Sequence, residues 1–187
     1  MVDIYNVHIY RYIIMRKLAQ RVILIAFSLS LVILISGVAT KMARGKKIND
    51  SIASLPSFSF ITLKKTVFHS SEIKRGPVLI VWFHPDCEHC QYEVSGIIKS
   101  DIPALLSKVL LIANDHPDSI DKFLEPFNYS DYPSIIAISD TSDLFCKIFG
   151  KDIVPSNYLY NKELKLVKIL AGEVKTETIR KYLLTGE

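Results

Sequence analysis

Two kinds of hydrophobic pattern divide the chain. Val22 to Thr40 is a run of 19 residues without a charge. From Ser57 onward, short apolar runs alternate with amphipathic stretches. Phe58–Leu63 and Thr66–Phe68 read as short strands. Pro77–Phe83 (PVLIVWF) is continuously apolar, which suits a strand buried on both faces. Val109–Ala113 and Ser134–Ile138 are further buried-strand candidates. After Cys87, the residues Cys90, Val94, Ile97 and Ile98 fall on one helical face. Ile120, Phe123, Leu124 and Phe127 recur at helical spacing, with Pro117 as a first-turn residue. Leu144, Phe145, Ile148 and Phe149 predict a short helix closed by Gly150. Ser156–Tyr160 and Leu164–Leu170 predict a hairpin across Asn161-Lys162-Glu163, and Ile179, Tyr182 and Leu183 a last amphipathic helix. Strands alternating with helices predict an α/β domain with a central sheet flanked by helices. The closing hairpin makes that sheet mixed.

The run at residues 22–40 is long enough to cross about 30 Å of hydrocarbon as a helix. It is longer than the usual apolar core of a cleavable signal, roughly 7–15 residues, although Gly37-Val38-Ala39 offers a small-residue cleavage site. It has no polar face, which argues against a buried core helix. The expected organisation is a cytoplasmic N-terminal segment at 1–21, an anchor or uncleaved signal at 22–40, a polar linker at 41–55 and a folded domain at 56–187. Met15-Arg16-Lys17 resembles an ordinary signal-anchor start, with residues 1–14 as an upstream extension. Arg11, Arg16, Lys17 and Arg21 precede the run, and Lys41, Arg44, Lys46 and Lys47 follow it, so the positive-inside count is tied.

Charge adds little else. Of the net +4, +3 lies in the first 40 residues, so the folded part is near neutral and carries no nucleic-acid footprint. Three cysteines are too few for a disulfide scaffold or a four-thiolate zinc site.

Two of the three, Cys87 and Cys90, stand three apart in Cys87-Glu88-His89-Cys90. They follow a buried strand and a His84-Pro85-Asp86 turn, and a helix starts at the pair. Cys87 is thereby placed near a helix N-terminus, where unsatisfied N–H groups favour a thiolate, the nucleophile of disulfide exchange. Cys90 lies one turn away, placed to resolve a mixed disulfide on Cys87. His89 favours a Cys87 thiolate as a cation or hydrogen-bond donor, whereas Glu88 and Asp86 oppose it, so these residues tune the couple. No resident cofactor is expected beyond a redox-active Cys87–Cys90 disulfide. The competing readings are a metal site drawing on His84, Cys87, His89 and Cys90, whose short spacings make convergence difficult, and an unreactive pair. A peroxidase-like redoxin fits less well, because a resolving cysteine three residues away suits disulfide exchange. Cys146, between Phe145 and Ile148-Phe149, reads as a buried inert thiol. Trp82, Tyr158 and Tyr160 read as packing residues, and His69 and His116 as loop or surface histidines.

The buried strand before Cys87-Glu88-His89-Cys90, the Val154-Pro155 strand start some 65 residues later and Gly172 before a last helix resemble the thioredoxin superfamily. The likeness is closest to its membrane-anchored TlpA/ResA-like branch, and it covers about residues 56–185. The resemblance implies a thioredoxin-like fold and a thiol–disulfide oxidoreductase. It further implies that Pro155 is a cis-proline facing the cysteine pair, with Val154-Pro155 holding substrate; proline licenses such a bond. Also implied are an extracytoplasmic, periplasm-facing domain on a single-pass anchor, protein thiol or disulfide substrates including cytochrome c precursors, and a membrane redox partner that recycles the pair. The alternative on the same fold is a metal- or partner-binding module without turnover. Two positions depart from the pattern. Asp86 stands where an aromatic residue often precedes the first cysteine, and Val81 where thioredoxin carries a buried acid. Glu125 and Glu93 are the candidates for a substitute acid.

Overall fold

The computed structural model describes residues 2–150 and 153–185; the expected segment ends at Met1 and Glu187 lie outside them. The chain divides into two compact units, one ending at Lys47 and one beginning at Ile48. In the first unit, helix α1 (Val2–Ile52) begins. No proline interrupts the sequence before Pro56. Within it, the hydroxyls of Ser28, Ser36 and Thr40 donate to the carbonyls three residues earlier, at 2.8–3.1 Å. These three hydroxyls are thus satisfied inside the helix, as hydrocarbon surroundings require. Leu24, Phe27, Leu31 and Leu34 are all exposed. Among the described residues this is the one helix long and apolar enough to cross a membrane.

The polar stretch at 41–55 reads by composition as an irregular linker; it is instead helical through Ile52. Ile48 and Ile52, four residues apart, share one helical face, and Ile52 is fully buried in the second unit's core. Tyr160 Oη donates to the Ile52 carbonyl at 3.1 Å, and the Leu55 and Leu166 N–H groups donate to the carbonyls of Leu164 and Ala53. The domain therefore begins before Pro56. Two apolar residues among many polar ones give too weak a period to be read from sequence.

The second unit is built on one seven-stranded mixed sheet in the order β2-β1-β5-β4-β3-β6-β7. The strands are β1 (Ser59–Thr62), β2 (Val67–His69), β3 (Val78–Phe83), β4 (Lys108–Ala113), β5 (Ile135–Ser139), β6 (Ser156–Tyr160) and β7 (Leu166–Ala171). β3, β4 and β5 run parallel, and the other pairings are antiparallel. Central β3 is buried at all six positions, as its unbroken apolar run predicts. Alternation splits its side chains between two cores. Leu79, Val81 and Phe83 face helices α2 (Glu88–Lys99), α4 (Pro117–Leu124) and α6 (Thr176–Thr185). Val78, Ile80 and Trp82 face α5 (Leu144–Phe149), with Trp82 stacked on Phe145 at 4.4 Å. Tyr158 and Tyr160 lie in this second core, so their role is packing. A four-residue helix, α3 (Ile102–Leu105), is too short to leave a periodic signal.

Gly150 ends α5 at φ +71°, and a Cβ there would come within 2.4 Å of Ile48. Both the backbone angle and the space require glycine.

Candidate active site

β3 ends at Phe83, and the chain turns through His84-Pro85-Asp86 into α2. The turn closes with Cys87 N–H donating to the His84 carbonyl at 3.1 Å. Cys87 takes an extended conformation as the N-cap of α2, and its Sγ accepts from the Cys90 N–H at 3.2 Å. A sulfur in a capping role replaces the usual serine or aspartate oxygen. It leaves the Cys87 sulfur beside the positive end of a twelve-residue helix.

The two thiols, which are not joined, stand in different surroundings. Cys87 is half-buried, while Cys90 has no exposed surface. Burial pushes the Cys90 thiol up to about 12, with the Cys87 side chain adding to the effect. Cys90 therefore stays protonated over the physiological range. It ionises only when something nearby accepts its proton.

Sequence does not place that acceptor. Val81 leaves the strand position apolar, and Glu125 is exposed. Glu93, one turn along α2 from Cys90, is 2% exposed. Its Oε1 accepts from Asn157 Nδ2 at 2.8 Å and its Oε2 from the Val174 N–H at 2.6 Å. Burial raises the Glu93 carboxyl above the usual range, against the opposing pull of those two hydrogen bonds. Its charge acts on Cys90. The only signal in the sequence is a carboxylate within an apolar helical face, three residues after a cysteine.

Glu88 and His89, the first two residues of α2, are exposed. His89 does not engage the Cys87 sulfur. Its Nδ1 lies 2.5 Å from Glu173 Oε2. Glu173 follows Gly172, whose φ of +84° turns the chain out of β7.

Val154-Pro155 is a cis peptide. Ser156, the next residue, pairs with Trp82 near the end of β3, which places Pro155 at the same end of the sheet as Cys87. Val154 packs against the core that holds Cys90, and the Pro155 carbonyl accepts from the Gly172 N–H at 2.9 Å.

Other candidates lie elsewhere. Cys146 is half-buried on α5, across the sheet from the pair, rather than fully enclosed. His116 caps α4, and His69 bonds Ser59 across the β1–β2 hairpin at 2.7 Å. Among the described residues, no group of three or more His, Cys, Asp or Glu side chains is placed to share a metal ion.

No protein-family model matches the chain, and no curated protein sequence matches it. Solved structures do. A candidate thioredoxin from Neisseria meningitidis superposes with a TM-score of 0.60 at 22% identity, over 70% of this chain and 87% of that one. DsbF from Mycobacterium tuberculosis, solved in mixed oxidised and reduced forms, gives 0.58 at 18%, over 68% and 93%. A secreted disulfide oxidoreductase of the same organism, homologous to Escherichia coli DsbE, gives 0.60 at 12%, over 68% and 95%. At these identities the likeness establishes the fold: the second unit is thioredoxin-like.

Proposed function

We propose that this chain is a membrane-anchored thiol–disulfide oxidoreductase that reduces disulfides of extracytoplasmic proteins. The observation that carries the reading is the asymmetry of the pair. Cys87 is accessible and capped by an N–H, and Cys90 is sealed one turn behind it. The Cys87 thiolate attacks a substrate sulfur. That disulfide breaks, the departing thiolate takes a proton, and a mixed disulfide forms. Cys90 then gives its proton to Glu93 and attacks Cys87. The product is a Cys87–Cys90 disulfide and a substrate dithiol, with two electrons transferred. A membrane redox partner returns the two electrons to the pair. Val154-Pro155 lines the approach to Cys87 and receives the substrate chain.

The direction of transfer follows from the charges around Cys87. Asp86, Glu88 and Glu173 disfavour a neighbouring thiolate, and the one histidine of the dipeptide is bound to a carboxylate. A carboxylate beside a thiolate disfavours the reduced form, so carboxylates around a cysteine pair move its couple toward the reducing side. Equilibration of the detergent-solubilised chain in glutathione buffers tests this. The expected potential is near or below about −250 mV. A value between about −120 and −180 mV would mean a disulfide donor instead. Failure to exchange at all would overturn the oxidoreductase reading.

The exposed apolar residues of α1 and the internal hydrogen bonds of Ser28, Ser36 and Thr40 support a single-pass anchor. The secreted fold neighbour supports an extracytoplasmic domain. The expected result is that Cys87 in intact cells reacts with a membrane-impermeant maleimide. Labelling only after permeabilisation would place the domain on the cytoplasmic side.

A further inference from the structure

Three consecutive residues after β7 hold three separate parts of the site. Gly172 N–H donates to the carbonyl of Pro155 at 2.9 Å. Glu173 Oε2 stands 2.5 Å from His89 Nδ1. Val174 N–H donates to Glu93 Oε2 at 2.6 Å. The middle contact has a chemical consequence that the outer two lack. A carboxylate only accepts, so the proton in the His89–Glu173 bond is carried by Nδ1. In a neutral imidazole that is the ring's only N–H, and Nε2 is left as an acceptor. In that neutral form the ring has nothing to donate to a thiolate. In agreement, the hydrogen bond received by Cys87 Sγ comes from the Cys90 backbone.

We propose that Glu173 is a positioning residue that sequesters His89 from Cys87 and so keeps the couple reducing. This inference rests on the oxidoreductase reading above and names the group that sets its potential. Without Glu173, His89 is free to turn its N–H, or its cationic form, to the Cys87 thiolate. The thiolate is then stabilised and the reduced form gains. Glu173 is not a catalytic residue, because it reaches the sulfur only through His89.

The test is a double-mutant cycle on the full chain, with Glu173→Ala and His89→Ala made singly and together. Two quantities are read at pH 7: the glutathione equilibrium of the pair, and the rate of Cys87 alkylation by iodoacetamide, scored on the Cys87 peptide. Glu173→Ala is expected to shift the equilibrium toward the dithiol about tenfold, which is about 30 mV for a two-electron couple. Alkylation should accelerate severalfold. In the His89→Ala background both effects should vanish. Glu173→Gln keeps an acceptor for the His89 N–H and should give less than half the effect, which guards against a folding defect in the alanine variant. The idea is overturned if Glu173→Ala changes neither quantity. It is also overturned if the change persists undiminished without His89, since Glu173 would then act as a bare charge or through the Val174–Glu93 bond. The alkylation rates stand apart from turnover. If the wild-type pair never exchanges with glutathione, the oxidoreductase reading falls while the Glu173–His89 coupling is still measured.

Discussion

Cys87→Ser abolishes disulfide exchange, cutting the rate at least about a thousandfold, because a serine hydroxyl is not ionised at neutral pH and forms no disulfide. Cys90→Ser gives a different failure. The first attack survives, and the chain accumulates as a mixed disulfide through Cys87. The difference follows from burial. Cys90 has no exposed surface and its thiol is held up to about 12, so it is no substitute nucleophile when Cys87 is gone. Cys87, half-buried at the helix start, needs nothing from Cys90 Sγ for its own attack, since the N–H that caps it belongs to the Cys90 backbone and is retained in the serine variant. Incubation of both variants with a disulfide-linked model protein, followed by non-reducing electrophoresis, distinguishes them. A shifted adduct is expected for Cys90→Ser alone. Adduct in Cys87→Ser would reverse the assigned roles. No adduct in either, with a bound metal lost from both, would favour the binding-module reading.

The middle of the sheet was legible because β3, β4 and β5 are short and almost wholly apolar, and a buried central strand has no other way to be written. β3, β4 and β5, the β6–β7 hairpin, and the face of α2 carrying Cys90, Val94, Ile97 and Ile98 lie where hydrophobic period places them. The position of Cys87 at a helix start was legible from the turn before it. What sequence did not disclose are contacts made across the fold. Glu93 and Asn157 are 64 residues apart, and His89 and Glu173 are 84 apart. Neither pair leaves a local pattern, and a buried carboxylate is indistinguishable from an exposed one until its donors are placed. Ile48 and Ile52 were lost among lysines and asparagine for the same reason. Two apolar residues do not make a period until a core exists to receive them.

Glu93 is where stability and function conflict, and substitution there should separate them. Its carboxyl is raised by burial, so the folded state holds the Glu93 proton more tightly than the unfolded chain does. Its favourable contribution is complete below the ordinary glutamate value of 4.5 and is lost as pH rises through the higher folded value. Above that range the wild type carries the cost of burying this carboxyl. Glu93→Gln removes that cost. It also meets an acceptor that is waiting: among the described residues, Asn157 Oδ1 is buried without a hydrogen-bond partner. If the Asn157 amide turns over, Oδ1 accepts from the N–H of the introduced amide, and the carbonyl of that amide accepts from the Val174 N–H. The variant should therefore be more stable than wild type by about 1 kcal/mol at pH 8, with no gain at pH 4. Glu93→Ala strands both donors and should lose about 1–3 kcal/mol at either pH. Urea unfolding at the two pH values reads this directly. Activity moves the other way. Glutamine accepts no proton from Cys90, so release of the mixed disulfide should slow by about a hundredfold while the first attack by Cys87 is unchanged. A Glu93→Gln variant that is stabilised but resolves at the wild-type rate would remove Glu93 from the chemistry and leave it a structural acceptor for Asn157 and Val174.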